Sequence, residues 1–206
     1  MRLKSLWKKE DNRQMKIGIL AVQGAFIEHE RMLQSLGCDC VEIRKKSDLC
    51  PLDGLVLPGG ESTVQGRLLR ELGLFEPIKK MITDGLPVLA TCAGLILLAE
   101  NISNDSDRHF QTLPVTVKRN AYGRQLGSFV ARASLGKLDS YEMIFIRAPY
   151  IEQVSPEVEI LSTVDQHIVG VKYKNQVGLA FHPELGCDHR LHESFVKLCQ
   201  SMDSSL

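Results

Sequence analysis

Between Lys16 and Ile102, short apolar runs rich in β-branched residues alternate with stretches of helical period, and this alternation constrains the fold more than any other feature of the sequence. "KIGILAV" (16–22), "CVEI" (40–43), "GLVLPGG" (54–60) and "LPVLA" (86–90) read as strands, the third running into a glycine turn. Residues 26–36, 63–71, 74–84 and 93–102 read as helices; in the first of these Phe26, Met32, Leu33 and Leu36 fall at helical spacing before Gly37 ends the helix. Strands that alternate with helices imply a parallel sheet covered by crossover helices. The second half differs. Residues 113–118, 126–134, 142–147, 158–164, 167–173 and 176–181 read as strands joined by turns, some pairing as antiparallel hairpins, and a helix over 190–200 closes the chain. The expected fold is therefore α/β, a three-layer sandwich with a mostly parallel central sheet and an antiparallel extension in the same domain.

Residues 1–14 are polar and basic, and regular patterning starts at "MKIGILAV". They are expected to form a flexible extension, with residues 15–206 as a single domain and Met15 able to serve as an initiator. A chain of 206 residues with 44% hydrophobic content can bury one sizeable core. Lys plus Arg and Asp plus Glu each number 25, with no long run of one sign, which argues against nucleic acid or an anionic membrane as partner. No apolar segment approaches the ~20 residues that cross a bilayer, and the N-terminus lacks the apolar core of a secretory signal. Six cysteines without framework-like spacing suggest reduced thiols, hence a cytoplasmic protein in which each thiol is judged alone.

In "LPVLATCAGLILLAE" a β-run ends near Ala90 and a helix begins near Ala93, which puts Cys92 on a strand-to-helix turn with small residues, Ala90 and Gly94, two places to either side. A nucleophile elbow needs that pattern because its backbone is tight. A thiol at a helix start meets the positive end of the helix dipole, and the unpaired amides of the first turn can hold an oxyanion. A buried free cysteine also packs as a small hydrophobe, so a base must decide between packing and chemistry. His182 stands directly after an apolar strand in "GLAFHPELG", and Glu184 can turn back to accept a hydrogen bond from its ring and fix the tautomer. Cys92, His182 and Glu184 thus make a plausible triad. His189 and His192 are three apart on a helix with Cys187 nearby, but no fourth metal ligand is evident, and no metal or cofactor is expected. Cys38 and Cys40 would project to opposite faces of an extended segment, and His29 reads as a residue of the solvated or partner-facing side of the first helix.

"LVLPGGEST" (55–63) ends a strand on Gly59 and Gly60 and offers Glu61, Ser62 and Thr63 as helix caps. Backbone amides at such a turn suit a carbonyl oxygen that gains negative charge; a phosphate-binding loop or a plain turn would also use two glycines, but the Walker pattern with its lysine is absent. Arg119 and Arg147 lie near strand ends, where either could clamp a carboxylate.

Taken together and in this order, "PGGES", "TCAGL" and "FHPEL" resemble the triad-type (class I) glutamine amidotransferases. "GILAVQGAFIEHERML", "LPGGESTV", "RNAYGRQLGSF", "FIRAPYIE" and "LAFHPEL" are similar to the glutaminase subunits of pyridoxal 5′-phosphate synthase, from about Met15 to the last helix. The resemblance implies that Cys92 attacks the side-chain amide of L-glutamine with His182 as base and acid and Glu184 orienting it, through a γ-glutamyl thioester that water hydrolyses. It also implies that the backbone around Gly59, Gly60 and Ala93 supplies glutamine contacts and the oxyanion hole, and that Glu61, Arg119, Ile146 and Arg147 are the remaining glutamine-binding positions. Ammonia would pass to a synthase subunit, which forms a dodecameric core in this family, and "AVQGAF" (21–26) with the first helix matches the region that meets it.

Four features depart from the family pattern: Ala90 in place of glycine, the segment 101–120, Gly186 in place of threonine, and the leader. Competing expectations are a glutaminase of another pathway such as histidine biosynthesis, a non-catalytic scaffold, and an unrelated cysteine hydrolase. "RNAYGRQ" and "FIRAPYIE" argue against the first, the intact triad against the second, and arginines suited to a free amino acid against the third.

Overall fold

The computed structural model describes residues 13–120 and 127–203, with the side chains of 202 and 203 left aside. Apart from Arg13 and Gln14, the expected leader lies outside the described residues, as do residues 121–126 of "RNAYGRQ" and the last three of the chain.

The elements run β1 (Lys16–Leu20), α1 (Phe26–Ser35), β2 (Asp39–Ile43), β3 (Gly54–Leu57), α2 (Ser62–Glu71), α3 (Phe75–Thr83), β4 (Val88–Thr91) and α4 (Ala93–Leu98). They continue with β5 (Ala99–Ile102), β6 (Leu113–Lys118), β7 (Ser128–Leu135), β8 (Leu138–Ile146), β9 (Tyr150–Val154), β10 (Glu159–Val164), β11 (His167–Tyr173), β12 (Gln176–Leu179) and α5 (Arg190–Asp203). Among the described residues the large sheet has the order β2-β1-β3-β4-β12-β11-β9-β6-β5, with β10 paired to β11. The run from β2 to β12 is parallel, β12 to β11 to β9 to β6 is antiparallel, and β7 pairs with β8 in a separate antiparallel ribbon. This is the expected α/β arrangement with its antiparallel extension.

β3, β4 and β12 are buried at every position, as a strand must be when helices cover both faces of its sheet. The helices present one face each: His29, Met32 and Leu33 on α1, Ile78 and Ile82 on α3, and Leu191, His192, Phe195 and Cys199 on α5, all at spacings of three or four. His29 is fully buried, against the expectation of an outward position. Its spacing to Met32 and Leu33 puts it on the apolar face, and polar contacts described below offset the burial of its ring.

β8 begins at Leu138, four residues before the expected 142, and two further differences change the kind of element. The helix expected over 93–102 stops at Leu98, and Ala99–Ile102 becomes a strand parallel to β6. Every residue of α4 is buried, so there is no polar face whose period could mark the end, and pairing with β6 takes the remainder. β9, not anticipated from the sequence, follows Pro149 and pairs antiparallel with β6, Val117 opposite Ile151. No helix among the described residues is long and apolar enough to cross a membrane.

Candidate active site

The register of β4 with β12 creates the site. Leu179 pairs with Thr91, so Cys92, one residue past the end of β4, and His182, three past the end of β12, emerge together at the carboxyl edge of the sheet. Cys92 has φ 48 and ψ −100, a backbone strain that places its thiol on a sharp turn, and its amide donates to Leu179 O at 2.8 Å. Gly94 is obligatory there: a methyl group on it would lie 2.0 Å from Leu57 O. Ala90, the departure from the family pattern, sits fully buried between Leu57 and Gly178 in register and is accommodated within regular pairing.

His182 is fixed by its own amide, which donates to Ile144 O of β8 at 2.8 Å, and by the 3-10 turn Pro183–Leu185 that follows. That turn brings Glu184 Oε1 to 2.7 Å from His182 Nδ1, and the Cys92 thiol lies beside the same imidazole. Burial alone would discharge the ring, but its bonds to Cys92 and Glu184 outweigh that and push its pKa up to about 10. Burial likewise opposes the Glu184 charge, yet His29 and His182 hold its carboxyl well below the usual range. The sequence-derived triad is assembled in space.

Gly59 closes the site from β3. A methyl group on Gly59 would stand 2.3 Å from His182 Cε1 and 3.4 Å from Cys92 Cβ, so only glycine lets the turn approach both. The Gly59 carbonyl accepts from the Ala25 amide at 3.0 Å, and because the peptide is trans, the Gly60 N–H points the opposite way. Gln23 supports the turn: its Oε1 accepts from the Glu61 amide at 2.9 Å, and its carbonyl accepts from Gln65 Nε2 at 2.9 Å. Glu61 stands at the cap of α2 but its side chain makes no capping bond, against the capping expected from "GEST"; its own amide donates to Gln23. In the sequence, only the place of Gln23 beside Gly24 in a strand-to-helix turn marks this role.

A cleft of about 210 Å³ opens over Cys92 and His182. Gly59, Gly60, Glu61, Arg119, Ile146 and Arg147 all line it. Ala93, first residue of α4, does not; it lies buried directly after Cys92, its amide among those that the helix leaves without an intrahelical acceptor. Arg147 adopts a left-handed backbone (φ 43) at the end of β8, its amide donates to Gly127 O at 2.6 Å, and its guanidinium lies 3.6 Å from the Glu61 carboxylate. Arg119 is anchored by Asp105, whose carboxyl is held below its usual range by the Asp107 amide and by Arg119 itself. The site thus has a thiol–imidazole–carboxylate line at its base and one carboxylate and two guanidinium groups at its mouth.

Elsewhere, all six cysteines are free. No group of three or more His, Cys, Asp or Glu side chains among the described residues could hold a metal ion. His189 faces Ser35 Oγ at 3.4 Å while His192 faces His29, so the two histidines do not converge.

The fold is that of a glutamine amidotransferase: the chain is similar to a crystal structure described by that name, with a TM-score of 0.85 and 39% identity over 89% of this chain and 98% of that one. Residues 19–201 match the SNO glutamine amidotransferase family, and the chain belongs to that family. It is 63% identical over 183 residues to the "Pyridoxal 5'-phosphate synthase subunit PdxT" of Desulfitobacterium hafniense (strain DSM 10664 / DCB-2), covering 88% of this chain and 92% of the relative. It is 50% identical over 190 residues to the protein of the same description from Haemophilus influenzae (strain PittEE), covering 90% and 99%.

Proposed function

We propose that this chain is the glutaminase subunit of a pyridoxal 5′-phosphate synthase, hydrolysing L-glutamine to L-glutamate and ammonia and passing the ammonia to a synthase subunit. The observation that carries this reading is the Cys92–His182–Glu184 line, buried beneath an amino-acid-sized cleft in a chain 63% identical to a relative described as a pyridoxal 5′-phosphate synthase subunit. The alternative of histidine biosynthesis is not retained, because relatives at 50–63% identity over most of their length carry the synthase description.

Cys92 sulfur attacks the side-chain amide carbon of glutamine, forming a C–S bond and a tetrahedral oxyanion. The amides of Gly60 and Ala93 are the donors placed for that oxygen, and they cost little reorganisation because the turns are already set. His182 delivers its proton to the leaving nitrogen, and ammonia departs as the γ-glutamyl thioester forms. His182 then takes a proton from water as the water attacks the thioester, and glutamate leaves as the sulfur recovers its electron pair. Glu184 accepts from Nδ1 throughout, which directs the other ring nitrogen to the thiol. At the mouth, the opposed charges of Glu61 and Arg147 suit an amino acid's own ammonium and carboxylate, with Arg119 as a second cation and Ile146 against the aliphatic stem.

Residues 15–206 act as one glutaminase domain that works in the cytoplasm, docked through residues 21–26 and α1 on a dodecameric synthase core. Gln23 in that stretch holds the Glu61 amide, so docking there would bear directly on the glycine turn. The test is glutamate release from glutamine with and without a synthase subunit. We expect low release alone, stimulation on docking, and loss in Cys92→Ala; equal rates for docked wild type and Cys92→Ala would remove Cys92 from the mechanism.

A further inference from the structure

His29 is fully buried on α1, and no step above uses it. Its ring touches three other segments. Nδ1 lies 3.0 Å from His192 Nε2 on α5, and Nε2 lies 3.2 Å from Thr91 Oγ1, the residue immediately before the nucleophile. Nε2 also lies 3.2 Å from Glu184 Oε2, the carboxylate oxygen that His182 does not occupy. That oxygen accepts no aligned hydrogen bond, so the His29 ring is the polar group set against it.

A buried carboxylate with one oxygen unmatched is costly, and it is free to turn about its own axis. Rotation of Glu184 would swing Oε1 away from His182 Nδ1, and the catalytic ring would lose its orienting partner. A proton on His29 Nε2 opposes that rotation. The other neutral tautomer would set a bare lone pair of His29 against Glu184 Oε2. His192 Nδ1 has no partner, so His192 suits a proton on Nε2, donated to His29 Nδ1, and this in turn keeps the His29 proton on Nε2.

We propose that His29 is a positioning residue for glutamine hydrolysis: held by Thr91 and His192, it fixes Glu184 and extends the Cys92–His182–Glu184 line into α1. The inference rests on the triad reading of the previous section. Its test compares two substitutions of similar bulk in the complex with a synthase subunit, His29→Met, which fills the space without a donor, and His29→Gln, which can return an N–H near the Nε2 position. A base contributes about 10²–10⁴-fold, and mispositioning it forfeits part of that: we expect His29→Met to lower kcat at least about tenfold with KM within about twofold, and His29→Gln to exceed His29→Met in kcat at least about threefold. His29→Met at the wild-type kcat, or both variants with equal kcat, would overturn the role. Cys92→Ala is run alongside: activity surviving in that control would mean that the triad reading had failed, not the role of His29.

Discussion

In the proposed mechanism His182 must both hold and release a proton. Its pKa stands at about 10 because the Cys92 sulfur and the Glu184 carboxylate outweigh the penalty of burial. Removing the sulfur leaves burial opposed by Glu184 alone, so in Cys92→Ala we expect the imidazole to titrate at lower pH than in the wild type. NMR of the ring nitrogens reads this directly, and an unchanged titration would mean that the thiol is not the ring's partner. At this scale the residues that meet beneath the cleft were legible: Cys92 by its small neighbours, and His182 and Glu184 by their spacing after a strand. His29 was not, because a charged-type residue on an amphipathic helix suggests a surface. Its three- and four-residue spacing to Met32 and Leu33 was the overlooked sign that it faces inward. Gln23 was equally hidden, since its role is to satisfy the backbone of a turn that is distant in sequence.

The elbow is a property of β4 and α4 together. Its tightness rests on Gly94 lying against the Leu57 carbonyl, where even a methyl group would intrude to 2.0 Å. Because the obstacle is backbone, it cannot rotate aside, and β3 or α4 must shift. We expect Gly94→Ala to destabilise the protein by about 1–3 kcal/mol, the usual cost of overpacking, and to displace Cys92 from its ring partner. Urea unfolding and alkylation of Cys92 would report the two effects separately. Gly59→Ala, blocked by the side chain of His182 instead, should cost activity more than stability. The βα units were legible because short continuous apolar runs alternate with amphipathic helices. What escaped is where that contrast vanishes: the end of the fully buried α4, and the short β9, whose place depends on its partner β6.

For the molecule as a whole, the buried ionisable cluster makes stability depend on pH in both directions. Burial, aided by the nearby His29, holds His192 at about 3 against 6.5 in the open chain, so the unfolded state binds more protons and stability is lost as pH falls below about 6.5. Glu184, also held below its usual range, adds to that loss below 4.5. His182, raised to about 10, contributes stability that is complete below 6.5 and is lost as pH rises toward 10. Each proton corresponds to about 1.4 kcal/mol per pH unit, so the free subunit should be most resistant to urea near pH 6.5. We expect His192→Leu to flatten the acid limb and Cys92→Ala the alkaline one.

The strand that carries His182 lies in the middle of the sheet, between β4 and β11, yet belongs to the last part of the chain. On the ribosome the thiol therefore emerges long before its base, and the neighbouring parallel strand is missing until β12 slots in. A nascent or C-terminally shortened chain holds Cys92 without His182, Glu184 or His192. Such a polypeptide has its thiol without the imidazole and carboxylate beside it, and by the mechanism proposed above it would release no ammonia.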